Sequence, residues 1–166
     1  MEGLSKKEIE IIAELEFDKK YFFTSSDVDR HTKNKTQRYN IIKSLIKKKR
    51  IVKLNRNKYY LIPIKAKSGG WSENPFIIID EMFNGKYYFI WGIAAVNYWR
   101  LIDQIPFEFD VYTTKRQGKT EIFNARIVFH RTTENRIKTA VKKKKYEHDF
   151  MIQSKKDTIK WMKSRE

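Results

Sequence analysis

Between Arg30 and Ser72 the chain carries fourteen lysines and arginines and not one aspartate or glutamate. Acidic residues are common on both sides of this window. Regular structure formed here must turn a cationic face outward, because lysine and arginine are not buried unless paired. Within the window, residues 34–49 repeat at helical spacing. On a wheel Tyr39, Ile42, Leu45 and Ile46 share one face and are expected to pack inward. Thr36, Gln37, Asn40, Lys43, Ser44 and Lys47 fall on the opposite face, with Lys33 and Lys35 at the start. Behind the helix come Ile51–Leu54, the polar tip Asn55–Lys58 and Tyr59–Ile62, the pattern of a two-stranded hairpin.

A basic helix backed by a basic hairpin is what a winged helix-turn-helix offers to a nucleic-acid duplex. The order of groups along the outer face has a use. Gln37 and Asn40 stand where the early part of a recognition helix meets base edges, and amides pair bidentately with adenine. Lys43 and Lys47 suit phosphate oxygens. Arg56, Asn57 and Lys58 sit at the hairpin tip, within reach of the backbone or a minor groove. Asparagine tolerates positive φ, so Asn57 is expected to serve there in place of glycine.

Ahead of the window, Ser5 and Glu8 form a capping box that opens a first helix over 5–17. Residues 21–24 read as extended, 26–31 as a short second helix, and 32–34 as the turn. His31 has no second ligand at metal spacing and is expected at a surface or turn.

The chain of 166 residues suffices for two small domains. Its net charge of +16 calls for an anionic partner, nucleic acid ahead of membrane or acidic protein. The charge is uneven: residues 1–68 hold 18 basic and 8 acidic residues, residues 69–166 hold 18 and 12. The absence of cysteine excludes disulfides and thiolate metal sites. There is no signal-like N-terminus, and the longest apolar stretch, near Phe89 to Trp99, is too short for a bilayer. A cytoplasmic protein with no membrane partner is expected.

The domain boundaries follow from composition: 1–66 for the DNA-binding domain, 67–74 for a small flexible linker, and 75–166 for a mixed α/β domain. The fold class is therefore α+β. In the second domain Asn74-Pro75 starts a helix over 76–83, which stops at Asn84-Gly85. Residues 86–90 read as a strand and 92–102 as a helix. Residues 107–112 alternate strictly, placing Phe107, Phe109 and Val111 on a buried face. A strand or hairpin spans 120–131, Lys142–Lys145 reads as a solvated run, 150–152 as a short strand, and Ser154 with Asp157 caps a final helix.

Glu108 and Asp110 share one strand face, as the metal pair of a nucleotidyltransferase does. The upstream turn, Gly92-Ile93, lacks a hydroxyl, and no third carboxylate follows at useful spacing. The expectation is two acids on a wet sheet face, with no catalytic residues, no metal site and no cofactor. So many large aromatics in so small a domain leave some partly exposed. Tyr88, Trp91, Tyr112 and Trp161 are the candidates, and an exposed aromatic patch implies a protein contact.

The stretch Phe89–Pro106 resembles the AbiEi-like antitoxin and transcriptional regulator family. The match falls on Ala94-Ala95, Leu101, Gln104 and Pro106. Val111–Arg116 and the hairpin Ile51–Tyr59 also resemble that family, whose hairpin tip is usually written Arg-Gly-x-Tyr. Asn57 stands where that glycine falls, and Arg100 where the family has another. The family continues into further C-terminal helices. The resemblance implies a winged-helix half, an α/β half, repression of its own operon, and an antitoxin role against a nucleotidyltransferase-like toxin. The expected partners are double-stranded DNA and either a second copy of the chain or such a toxin. A nucleotidyltransferase-like enzyme or an RNA-binding protein is the alternative.

Overall fold

The computed structural model describes residues 3–64, 66 and 73–165. The fold is α+β and divides into two compact units, Met1–Trp71 and Ser72–Glu166. Most of the linker expected over 67–74 lies outside the described residues.

The first unit opens with helix α1 (Lys6–Phe17). Its capping box is complete: Ser5 Oγ accepts from the Glu8 amide, and the Glu8 carboxylate accepts from the Ser5 amide. Strand β1 (Phe22–Thr24) follows, then the expected short second helix, which is a 3-10 helix over Ser25–His31. Asp27 closes that element, accepting from the Thr24 amide at 2.6 Å. Helix α2 (Lys35–Lys47) begins at Asn34, whose side chain accepts from the Gln37 amide. Strands β2 (Ile51–Lys53) and β3 (Lys58–Leu61) form the hairpin, and β1 adds to its far side in the order β1-β3-β2. Ile11, Ile12, Leu15, Phe23, Val28, Ile42, Leu45 and Leu61 fill the core beneath.

Two expectations for this unit are corrected. Tyr39 is 64% exposed and Ile46 39% exposed, although both were placed on the packing face. The helix is rotated so that Ile41, Ile42 and Leu45 point inward. The hairpin tip contains no residue with positive φ. Instead Asn55 Oδ1 accepts from the amides of Asn57 and Lys58, each at 2.9 Å. The side chain of Asn55 thus replaces the glycine geometry with an Asx turn.

The second unit starts with α3 (Pro75–Phe83), capped by Asn74 and ended by left-handed Asn84. Strand β4 (Tyr88–Trp91) runs directly into α4 (Gly92–Tyr98). Next come β5 (Glu108–Thr113), the hairpin β6 (Gly118–Ile122) and β7 (Ala125–Arg131), and the single turn α5 (Glu134–Ile137). The chain closes with β8 (Val141–Lys145), β9 (His148–Ile152) and α6 (Lys155–Lys163). The six strands form one mixed sheet in the order β6-β7-β5-β4-β9-β8. β5 lies parallel to β7 and β4 parallel to β9; the other pairs are antiparallel.

Alternation along β5 buries Phe109 and Val111, while Phe107, just before the strand, is 64% exposed. The chain has not yet entered the pleat at that residue, so alternation does not govern it. Lys142–Lys145 is a solvated run, with Lys142 and Lys144 exposed, and it is also a strand. It is paired strand for strand with β9, at the sheet edge, where lysines guard against further pairing. The helix expected over 92–102 stops at Tyr98 because Arg100 adopts φ 56°. Gly92, at the junction of β4 and α4, has φ 68°, and a Cβ there would lie 2.7 Å from Asp110 Oδ2. Only glycine lets the helix start this close to β5.

Candidate nucleic-acid interface

The outer surface of α2 is a ridge between two grooves. Thr36, Asn40, Lys43 and Lys47 form the crest and are all exposed. Lys33 and Lys35 are exposed at its start.

Toward α1 lies a groove of about 590 Å³, lined by Ser5, Lys33, Thr36, Gln37, Asn40 and Ser44 among others. Two expected reading residues are committed here. Gln37 Oε1 accepts from the Lys33 amide at 2.7 Å, so its carbonyl is already bonded. Ser44 Oγ donates to Glu8 Oε1 at 2.7 Å and belongs to the α1–α2 interface. Neither position was distinguishable on a wheel drawn without knowing where α1 sits.

Glu8 is buried at 3% exposure. Burial alone would push its carboxyl up. Hydrogen bonds from Lys48 Nζ at 2.7 Å, from Ser44 and from Ser5 outweigh this and hold it at about 2. The second Glu8 oxygen and the lysine are thereby removed from the surface as a neutral pair.

On the other flank a groove of about 350 Å³ separates α2 from the hairpin, lined by Lys35, Tyr39, Lys43, Ile46, Lys53 and Tyr59 among others. The exposed Tyr39 and Ile46 thus border a strongly basic trough. At the hairpin tip Arg56 and Asn57 are exposed and Lys58 is half-buried.

Several acids of this unit are paired away from the crest of α2. Glu14 pairs with Arg30 and with His31, Asp29 with Arg38, and Asp27 with Lys20 at 2.6 Å. Burial would raise the Asp27 carboxyl, but its bonds to Lys20 and Thr24 bring it below the usual range. Lys33, Lys35, Lys43, Lys53 and Arg56 form no ion pair among the described residues. His31 is a structural partner of Glu14.

In the second unit the four aromatic candidates separate. Tyr88 is fully buried, against expectation. It lies inside the sheet and donates its hydroxyl to Asp80 Oδ1 at 2.7 Å, while Met151 N donates to that hydroxyl at 3.0 Å. Burial and the Asp80 charge both push its phenol pKa up. His148 Nε2 bonds the other Asp80 oxygen at 2.9 Å.

Trp91, Tyr112 and Trp161 are half-buried and come together on the other face of the sheet. The ring centroids of Trp91 and Tyr112 are 5.3 Å apart, and those of Trp91 and Trp161 6.5 Å apart. Register explains the row: Phe89 is opposite Tyr112, and Tyr112 opposite His130. Arg136, which nothing in the sequence marked out, lies over both Trp91 and Tyr112 at 4.6 Å.

The two carboxylates of β5 each meet a side chain of β7. Asp110 Oδ1 is 2.6 Å from His130 Nε2, and Glu108 is 3.6 Å from Arg126. Among the described residues no group of three metal-ligating side chains is found, and no helix is long and apolar enough to cross a membrane. No protein-family model matches the chain, and no curated protein matches it.

Proposed function

We propose that the chain is a sequence-specific duplex-DNA-binding transcriptional regulator, and that its first unit is a winged helix-turn-helix. The order helix, strand, 3-10 helix, helix and hairpin supports this reading. The observation that carries it is the crest of α2, where Thr36, Asn40 and Lys43 are exposed and where Lys33, Lys35 and Lys43 form no ion pair among the described residues. With Gln37 and Ser44 held by the fold, Asn40 and Thr36 carry base reading. Lys33, Lys35, Lys43, Lys47, Arg56 and Lys58 hold the phosphates. Repression of its own operon, and an antitoxin role toward a nucleotidyltransferase-like toxin, extend the proposal along the family resemblance. They imply a cytoplasmic protein that is not itself an enzyme.

Selection of a preferred site from random duplex, followed by binding of variants to it, tests the reading. Asn40→Ala is expected to cut discrimination between chosen and random DNA by roughly 1–3 kcal/mol. Lys43→Ala and Lys47→Ala are expected to weaken both alike. Gln37→Ala and Ser44→Ala are expected to change stability more than discrimination. Identical behaviour of Asn40→Ala and Lys43→Ala removes α2 as the reading helix.

A further inference from the structure

A second surface, in the other unit, has a chemistry of its own. A groove of about 410 Å³ is lined by Trp91, Arg136, Thr139, Asp157, Lys160, Trp161 and Ser164. That volume suits a single small ligand. The Arg136 guanidinium lies on the Trp91 and Tyr112 rings, each 4.6 Å away, and its side chain is exposed. A guanidinium held over rings keeps N–H groups for something else. Arg136 forms no ion pair among the described residues. Its backbone carbonyl accepts from Thr139 Oγ1 at 2.8 Å, which fixes the turn that carries it.

Lys160 adds a second exposed cation. The one carboxylate among the lining residues, Asp157, is taken up by the cap of α6, where Ser154 Oγ donates to it at 2.6 Å. The opposite wall is the half-buried indole of Trp161, with Arg165 4.5 Å over its ring. An occupant must therefore satisfy two demands at once. It must be anionic, and it must offer a flat π surface. An acidic peptide meets only the first demand, and an apolar segment meets neither.

We propose that this groove binds a nucleotide, its base against the Trp161 indole and its phosphate on Arg136 and Lys160. Free nucleotides and single-stranded nucleic acid share this chemistry. The site lies within the second unit and does not depend on the duplex reading of the first.

Calorimetric titration of the full chain tests it with four probes: a nucleoside monophosphate, ribose 5-phosphate, a short single strand and polyglutamate. The nucleotide is expected to saturate one site and to bind roughly tenfold or more tightly than ribose 5-phosphate, the share contributed by stacking one base. Arg136→Gln and Trp161→Ala are each expected to weaken it about tenfold. Trp161→Phe keeps an aromatic wall and is expected to retain binding, as is Lys43→Ala on α2. Should Trp161→Ala fail to fold, Arg136→Gln and Trp161→Phe still decide. A single strand that binds more tightly than the nucleotide, and loses affinity in the same variants, makes the strand the natural ligand; equal affinity makes it the free nucleotide. The proposal is overturned by equal binding of nucleotide and ribose 5-phosphate, by displacement of the nucleotide by polyglutamate, by no saturation with either nucleotide or strand, or by wild-type affinity in both Arg136→Gln and Trp161→Ala.

Discussion

The two units hold equal numbers of lysines and arginines on either side of residue 68, yet they place them differently. In the first unit the acids draw off a chosen subset of cations. Lys48, Arg30, Arg38 and Lys20 are paired, whereas Lys33, Lys35, Lys43, Lys53 and Arg56 are exposed and form no ion pair among the described residues. In the second unit cations lie on rings: Lys115 over Tyr87 at 4.1 Å, Arg116 over Phe129 at 4.0 Å, Arg136 over Trp91 and Tyr112, and Arg165 over Trp161. A solvated cation acts through a long-range field that salt screens. A cation on a ring is fixed in place and acts at contact distance. The same composition thus makes one surface suited to a polyanion and another suited to a single ligand.

The largest expected effect breaks or confirms that contrast through salt. If Lys33, Lys35, Lys43, Lys47, Arg56 and Lys58 each meet a phosphate, duplex affinity falls roughly a thousandfold between about 50 and about 200 mM salt. Nucleotide binding in the second unit, with one phosphate, is expected to weaken far less over the same range. Filter binding for the duplex and calorimetry for the nucleotide give both slopes. Equal slopes would mean that both ligands occupy the same basic surface, and the contrast would be lost.

The next effect is on stability, and it concerns the first unit alone. Lys48→Met leaves the buried Glu8 carboxylate without its cation and is expected to cost about 3 kcal/mol. In the native protein the Glu8 carboxyl is depressed from 4.5 to about 2. A depressed carboxyl contributes stability that is fully present above pH 4.5 and is lost as the pH falls toward 2. Glu8→Gln is therefore expected to flatten the acid limb of the stability curve, measured by urea unfolding at successive pH values. Amide exchange locates the damage: α1 and α2 are expected to lose protection in Lys48→Met while β4 and β5 keep theirs. Loss of protection across both units would show that they unfold as one.

Why some of this was legible and some not follows from particular residues. Caps are local, so Ser5 with Glu8, Asn74 and Ser154 could be read from neighbours along the chain. Strand alternation gave the buried face of β5, because Phe109 and Val111 obey a period that needs no partner. The rotation of α2 was not legible. Tyr39 and Ile46 are as apolar as the residues that pack, and only the position of α1 decides which edge is covered. Ser44 has the pattern of a surface group, yet Glu8, far away in sequence, lies beneath it and also holds Lys48. Arg136 belongs to a single turn too short to announce itself, and its place over Trp91 and Tyr112 depends on the pairing of β4, β5 and β7. Tyr88 is expected partly exposed from its place in the strand pattern, whereas it is buried, and Asp80 and the Met151 amide satisfy its hydroxyl inside.

The smallest expected effect compares the same backbone feature in both units. Lys49 and Arg100 each follow a helix in the left-handed region, at φ 55° and 56°. The next amide closes the turn in both, Arg50 N to Leu45 O at 2.9 Å and Leu101 N to Val96 O at 3.1 Å. Glycine is the usual residue at such a position, because a Cβ there crowds the following carbonyl. Arg100→Gly and Lys49→Gly are each expected to relieve about 1 kcal/mol of strain, partly offset by the greater freedom of glycine in the unfolded chain. The net gain expected is about 0.5 kcal/mol, visible as a small rise in the melting temperature. The two differ in what else they change. Lys49→Gly also removes a cation from the end of α2, so duplex affinity is expected to drop slightly at low salt. Arg100→Gly leaves nucleotide binding untouched, because Arg100 does not line the Trp91–Trp161 groove. A lower melting temperature in Arg100→Gly would show that the arginine side chain holds the end of α4 through a contact worth more than the strain it imposes.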